Sequence, residues 1–216
     1  MKYKLVIFDL DGTVLNTIDD LADSLNYALS CGDYPLRSTT EVKSFVGNGL
    51  LRLIELGVPQ NTSKECVKKT FDCFNEHYAK HCADKTRPYD GVIQMLKKLK
   101  KMGMLTAVLS NKADYAVQNL CEKYFKGLFD AAMGMRQGTR PKPYPDAAEE
   151  ILRILKADKE STLYVGDSEV DIKTAKNANL NLLCVDWGFR DRCFLLSQGA
   201  EKIISQPDEI FKILSE

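Results

Sequence analysis

Tyr3-Lys4-Leu5-Val6-Ile7-Phe8-Asp9-Leu10-Asp11-Gly12-Thr13 opens the chain with a short apolar run that ends on two carboxylates. A run of this length, closed by a turn, reads as a strand buried on both faces. Such strands belong to parallel sheets, and ligands of open α/β sheets bind at the strands' carboxyl ends. Asp9 and Asp11 are therefore expected at the ligand edge, pointing apart and dividing the work. One would attack while the other handles a proton. Gly12 gives the backbone the freedom to turn sharply away. Taken alone, an Asp-x-Asp in a turn is most often a turn or helix-cap pair, so its meaning depends on the rest of the chain.

Working outward, apolar runs at 104–110, about 129–134, 162–166 and about 181–186 read as further strands. Helical stripes lie between them: Val92, Leu96, Leu99 and Met102, then Ile151, Leu152, Ile154 and Leu155 behind Pro145. The alternation predicts a doubly wound, Rossmann-like parallel sheet with helices on both faces. One connection is far too long for a single crossover, which needs about a dozen residues. Strand one ends near Asp9 and the next convincing strand begins near Met104, and residues 18–83 between them are helical throughout in pattern. Leu21, Leu25, Ala28 and Leu29 make one stripe, and Val67, Thr70, Phe71, Phe74 and Tyr78 another. Ser38-Thr39-Thr40-Glu41 reads as a capping box. The expected division is an α/β core of 1–15 and 84–216 carrying an inserted all-helical cap of 16–83. Both hinges would lie close to Asp9 and Asp11, so the insert is placed to act as a lid.

The 216 residues are 44% hydrophobic, with 30 basic residues balancing 30 acidic ones. That balance gives no basic footprint for nucleic acid. No segment approaches the roughly 18 consecutive apolar residues of a membrane helix, and Asp9 breaks the first apolar run too early for a signal peptide. A soluble cytoplasmic protein without membrane or nucleic-acid partners is expected, either monomer or homodimer. The seven cysteines are scattered, with no Cys-x-x-Cys pair; free, mostly buried thiols are expected. His77 and His81, four apart, share a helix face but lack a third metal ligand in the pattern, and read as part of the insert's surface.

Three polar clusters sit at the ends of predicted strands or the start of helices: Ser110-Asn111-Lys112, Lys142 between prolines, and Gly166-Asp167-Ser168-Glu169-Val170-Asp171. Parallel strands bring them to the edge that carries Asp9. Asp9 and Asp167 can share a hard divalent cation; Mg2+ favours one or two carboxylates plus phosphate and water. Ser110 and Asn111 offer a hydroxyl and an amide to a phosphoryl oxygen, Lys142 adds a point charge, and the N–H groups around Gly12 and Thr13 can complete an anion cradle. Phosphoryl transfer asks mainly for such positioning and neutralisation. Asp9 would attack phosphorus, and Asp11 would protonate the leaving oxygen and then activate water.

Asp9-x-Asp11-Gly12-Thr13, Ser110-Asn111, Lys142 and Gly166-Asp167-x-x-x-Asp171 stand in the order of the four motifs of the haloacid dehalogenase superfamily of phosphatases, which this chain resembles over nearly its whole length. The resemblance implies Asp9 as nucleophile and Asp11 as general acid/base. It implies Mg2+ on the Asp9 and Asp167 carboxylates and the Asp11 main-chain carbonyl, phosphate contacts from Ser110, Asn111 and Lys142, and a supporting role for Asp171. Phe45-Val46-Gly47-Asn48-Gly49, Val185-Asp186-Trp187-Gly188-Phe189-Arg190 and Gly199-Ala200 resemble the phosphoglycolate phosphatases, while Thr174 and Asn179 stand where those proteins commonly carry Ala and Gly.

The expected activity is Mg2+-dependent hydrolysis of a small phosphate ester, with 2-phosphoglycolate as first candidate. Inorganic pyrophosphate, sugar phosphates and nucleotides are the alternative substrates. A phosphomutase of the same family and a non-catalytic phosphate-binding protein are the alternative functions. A dehalogenase is disfavoured because halide departure needs no Asp11. Lys43, Asn48 and Arg52 around the Gly47-Asn48-Gly49 turn are candidate selectors of the substrate's non-phosphate end.

Overall fold

A computed structural model describes residues 2–215. In chain order it contains β1 (Leu5–Phe8), β2 (Leu15–Asn16), α1 (Ile18–Cys31), α2 (Thr39–Phe45), α3 (Leu50–Gly57), α4 (Lys64–His81), β3 (Arg87–Pro88) and α5 (Val92–Lys101). There follow β4 (Leu105–Ala113), α6 (Asp114–Phe125), β5 (Ala131–Met135), α7 (Asp146–Leu155), β6 (Thr162–Gly166), α8 (Glu169–Ala178), β7 (Asn181–Val185), α9 (Arg192–Ser197), β8 (Ile203–Ile204) and α10 (Ile210–Ile213). The chain divides into two compact units, one of Asn16–Arg87 and one of the residues up to Leu15 and from Pro88 onward.

The second of these is the α/β unit. Its six-stranded sheet has the order β5-β4-β1-β6-β7-β8, and every pairing is parallel. The apolar runs are continuous because the sheet is covered on both sides. Leu5, Ile7, Ala107, Leu109 and Tyr164 pack on Ala147, Ala148, Ile151 and Leu152 of α7 and on Ala175 and Ala178 of α8. The alternate residues Val6, Phe8, Val108 and Val165 are equally buried, and Phe8 meets Phe129, which packs edge-on against Phe125 of α6. Register then places the chemistry. Phe8 pairs with both Val108 and Val165, so the chain beyond Phe8 emerges level with the chain leading to Ser110 and to Asp167.

Two expectations change here. Ile154 is 47% exposed: it lies two residues, roughly 200°, from Leu152 around α7 and leaves the buried stripe. The strand expected to end at Ser110 runs on to Ala113, so Ser110, Asn111 and Lys112 are strand residues and none of them caps α6. The two departures at 174 and 179 have local accommodations. Thr174 is buried with its hydroxyl on Val170 O at 2.7 Å. Asn179 closes α8 in the left-handed conformation, φ 54°, which asparagine tolerates.

The helical unit is built on α1 and α4. Leu21, Leu25, Ala28 and Leu29 of α1 and Phe74 and Tyr78 of α4 are buried. Ser38 and Glu41 form the capping box at the start of α2, with Ser38 N–H on Glu41 Oε2 at 2.8 Å. Asp20, 2% exposed, accepts the Lys85 N–H at 2.9 Å and the Thr86 N–H at 2.8 Å. One buried carboxylate thus ties the last residues of the unit to its first helix. His77 is not a plain surface residue. Its ring stacks between Tyr27 and His81, with Nδ1 3.0 Å from Ser24 Oγ.

None of the seven cysteines is in a disulfide, but only Cys121 and Cys184 are buried, while Cys31 and Cys193 are exposed and the others are half-buried. Among the described residues no helix is long and apolar enough to cross a membrane.

Candidate active site

Asp9 follows directly on β1 and extends its ladder, with its N–H on Val165 O at 2.9 Å. Its side chain is asymmetric. Oδ1 accepts the Leu10 N–H at 2.7 Å and Lys142 Nζ at 2.8 Å. Oδ2 accepts no hydrogen bond among the described residues. Beyond Leu10 the chain folds into a tight loop in which Leu10 O accepts from Val14 at 3.1 Å and from Leu15 at 2.9 Å, and Gly12 adopts φ 89°.

Asp9 and Asp11 do engage different partners, as expected. Strand alternation is not the cause, since positions i and i+2 share a face. The strand has ended at Phe8, and the turn carries Asp11 to Lys112, whose Nζ lies 2.8 Å from Asp11 Oδ1.

The backbone cradle expected from Gly12 and Thr13 is otherwise occupied. Gly12 N–H donates to Leu15 O at 2.8 Å and Thr13 N–H makes a long 3.4 Å bond to Leu10 O, because so tight a loop satisfies its own donors. Thr13 contributes its hydroxyl instead, to Asp167 Oδ1 at 3.0 Å.

Lys142 enters from the loop before α7 and is almost fully buried. Its ammonium lies 2.8 Å from Asp9 Oδ1, 2.8 Å from Asp171 Oδ1 and 3.3 Å from the Tyr164 hydroxyl, one acceptor for each N–H. Asn111 fixes the loop: its Oδ1 accepts the Lys142 N–H at 2.7 Å and its Nδ2 donates to Lys142 O at 3.1 Å. Its amide therefore holds the lysine's main chain. Ser110 Oγ accepts the Lys112 N–H at 3.2 Å.

Asp171 is fully buried, with Oδ1 taken by Lys142 and Tyr164 and Oδ2 by the Ser168 N–H at 3.1 Å and hydroxyl at 2.6 Å. Asp167 has one bond per oxygen, from Thr13 and, at 2.7 Å, from the Phe189 N–H. The loop after β7 closes over it. Trp187 Nε1 donates to Thr13 O at 3.0 Å, and a Cβ on Gly188 would lie 2.4 Å from Gly12 O and 2.5 Å from Asp167 Oδ2.

Carboxylate oxygens of Asp9, Asp167 and Asp171 lie within 4.8 Å of one another. Three buried carboxylates thus face one ammonium, an excess of two negative charges when all are ionised. The consequences are visible in the titration of the group. Burial first, and then the Asp171 charge, push Asp9 well above the usual carboxylate range and Asp167 up to about 7. Burial pulls the Lys142 ammonium down, but Asp171 and Asp9 outweigh it and hold its pKa well above the ordinary lysine value. A hard divalent cation fits this set. It matches the charge excess, and the oxygens of Asp9 and Asp167 carry fewer hydrogen bonds than those of Asp171.

Lys43, Asn48 and Arg52 lie in the helical unit. Asn48 is exposed, Lys43 is half-buried at the end of α2, and Arg52 pairs with Glu55 at 2.8 Å on the surface. Sequence reasoning missed the parts played by Lys112, Tyr164 and the Trp187-Gly188-Phe189 turn. Lys112 and that turn stood inside quoted motifs, which was the available signal; Tyr164 read only as a strand residue.

Residues 6–185 match the haloacid dehalogenase-like hydrolase family. A phosphoglycolate phosphatase of Mesorhizobium japonicum is 34% identical over 198 residues, covering 89% of this chain and 86% of that protein. A pyrophosphatase of Bacillus mycoides is 26% identical over 216 residues, covering 100% of this chain and 98% of its own. A crystal structure from Lactobacillus delbrueckii subsp. bulgaricus, provisionally named a phosphoglycolate phosphatase, superposes with a TM-score of 0.95 at 34% identity and covers 99% of each chain. The buried Asp9, Lys142, Asp167 and Asp171 cluster at the carboxyl edge of the sheet and these likenesses agree: the chain belongs to the haloacid dehalogenase-like hydrolase family and is an enzyme of its phosphatase kind.

Proposed function

We propose that this chain hydrolyses small phosphate monoesters with Mg2+ through an aspartyl-phosphate on Asp9, and that 2-phosphoglycolate is its substrate. The observation that carries the mechanism is the asymmetry of Asp9: Oδ1 is clamped by Leu10 and Lys142, while Oδ2 accepts no hydrogen bond among the described residues. Oδ2 attacks phosphorus, the bond from phosphorus to the ester oxygen breaks, and Asp11 gives that oxygen its proton. Water then attacks the same phosphorus, Asp11 takes the water's proton, and Asp9 leaves as carboxylate while inorganic phosphate departs.

Mg2+, held by the Asp9 and Asp167 carboxylates and the Asp11 main-chain carbonyl, would offset the charge between nucleophile and phosphoryl oxygens. Lys142 keeps Asp9 in position and lends its charge to the phosphoryl group. Ser110 and the Gly12-Thr13 loop line the phosphoryl site, Asn111 holds Lys142, and Asp171 anchors it. The helical unit serves as the cap, with Lys43, Asn48 and Arg52 selecting the substrate. The enzyme works in the cytoplasm as a monomer or homodimer. Support for phosphoglycolate comes from the relatives that carry that name at 34% and 31% identity. The pyrophosphatase relative makes inorganic pyrophosphate the second reading.

The test is mass spectrometry of the enzyme quenched during turnover. An added phosphoryl mass on the peptide containing Asp9, absent in Asp9→Asn, is expected. Full hydrolysis by Asp9→Asn would sink the mechanism. A panel that includes pyrophosphate ranks the two substrates by kcat/KM.

A further inference from the structure

We propose that Lys112 is the subsite for a negatively charged leaving group, and that it exchanges Asp11 for the substrate's own anion; this rests on the reading of Asp9 and Asp11 given above. Lys112 Nζ lies 2.8 Å from Asp11 Oδ1, with its side chain 2% exposed and that of Asp11 15%. An ammonium so deeply buried requires an opposite charge beside it. Asp11 is the more accessible of the two, and it must come within hydrogen-bond reach of the ester oxygen to do its work. Lys112 therefore stands one hydrogen bond behind the group that meets the leaving oxygen. The other lysine of the site, Lys142, is committed to Asp9, Asp171 and Tyr164. The charge on the leaving-group side belongs to Lys112.

In 2-phosphoglycolate the carboxyl carbon is the second atom from the ester oxygen. In pyrophosphate the leaving phosphoryl group begins at the first. Both carry an anion adjacent to the atom that Asp11 must reach. Such an anion can take the Lys112 ammonium from Asp11, so that Lys112 stays paired and Asp11 is released toward the leaving oxygen. A neutral leaving group offers no exchange and leaves Asp11 held. The relevant class is thus a phosphate ester or anhydride with an anion one or two atoms from the departing oxygen, and Lys112 adds a reader of that anion within the α/β unit to the selectors proposed in the helical unit.

The experiment compares 2-phosphoglycolate, pyrophosphate and ethyl phosphate, in which a methyl group replaces the carboxylate. Kinetics are measured for the full chain, Lys112→Met and Lys112→Arg with Mg2+ present. In the unaltered enzyme an anionic substrate should lead ethyl phosphate in kcat/KM. In Lys112→Met that lead should shrink by roughly tenfold or more, chiefly through KM, and Lys112→Arg should restore part of it. Which anionic substrate loses more identifies carboxylate or phosphate as the natural anion. An unchanged ratio in Lys112→Met, with all three substrates falling together, would show that Lys112 only props Asp11 and overturns the proposal.

A second measurement needs no variant: glycolate should inhibit hydrolysis of ethyl phosphate where glycolamide does not, and equal behaviour of the two overturns the proposal. Failure of the underlying mechanism looks different, since it appears as undiminished turnover by Asp9→Asn.

Discussion

The hydroxyl of Tyr164 donates to Asp171 Oδ1 at 3.0 Å, in the fully buried centre of the α/β unit. The Tyr164 hydroxyl oxygen in turn accepts from Lys142 Nζ at 3.3 Å, so one phenol joins the anchoring carboxylate to the lysine that holds Asp9. Tyr164→Phe keeps the ring that packs on α7 and α8 and deletes only this link. The expected cost is about 1–2 kcal/mol of stability by urea unfolding. Because Lys142 then has an unpaired N–H and more freedom, kcat should fall several-fold while KM changes less. A variant equal to the parent in both measurements would mean that the hydroxyl is only tolerated there.

The turn Trp187-Gly188-Phe189 holds Asp167 through packing as well as hydrogen bonds. Gly188→Ala would place a methyl group 2.4 Å from Gly12 O and 2.5 Å from Asp167 Oδ2, crowding a carboxylate proposed to hold the cation and the loop residue next to Asp11. The Mg2+ concentration for half-maximal activity should rise roughly 10- to 100-fold, the range found when groups supporting metal ligands are altered. Trp187→Phe loses the Nε1–H bond to Thr13 O and part of the ring but adds no atom beside Asp167, and should have the smaller effect. Calorimetric titration with Mg2+ measures both without relying on turnover.

Asp167 sets a pH dependence whose sign is opposite to that of an ordinary salt-bridged carboxylate. Burial and the Asp171 charge raise it to about 7 in the metal-free chain, against about 3.9 in an unfolded one. The folded state therefore binds the extra proton between these values, and stability is lost as pH rises through about 7. In EDTA, the Tm of the parent should fall relative to Asp167→Asn between about pH 5 and pH 8, and Mg2+ should stabilise the parent more at the upper end. Parallel Tm profiles for parent and variant would refute this.

The parts legible in the sequence were those with a local cause. The buried strands showed as unbroken apolar runs because neighbouring strands and helices cover both faces, and Ser38-Thr39-Thr40-Glu41 showed its cap because donor and acceptor lie three residues apart. Asp9, Lys142, Asp167 and Asp171 were found because each stands at a strand end or helix start. What escaped has its cause elsewhere in the chain. Lys112 meets Asp11 across 101 positions and Trp187 meets Thr13 across 174. Nothing in the five residues from Asp9 to Thr13 tells that Leu10 and Leu15 will accept the N–H groups of Thr13 and Gly12. The grip of Asn111 on the Lys142 main chain depends on contacts across 31 positions.

The helical unit makes a prediction of its own at Asp20. Its carboxylate, 2% exposed, accepts the Lys85 N–H at 2.9 Å and the Thr86 N–H at 2.8 Å. Nothing in the α1 stripe of Leu21, Leu25, Ala28 and Leu29 required an acid there, yet it joins the last residues of the unit to its first helix. Asp20→Ala removes both acceptors and leaves two main-chain donors without them. Hydrogen bonds to a charged partner contribute about 1.5–3 kcal/mol each, and a buried donor left unpaired adds to the cost. The variant should lose on the order of 3 kcal/mol of stability, and the amides of Lys85 and Thr86 should exchange with solvent faster than those of the α1–α4 core. Asp20→Asn keeps one acceptor oxygen and should recover part of both. If amide exchange at Lys85 and Thr86 is the same in parent and Asp20→Ala, this carboxylate does not hold the returning chain, and the unit must be closed by the packing of α1 on α4 alone.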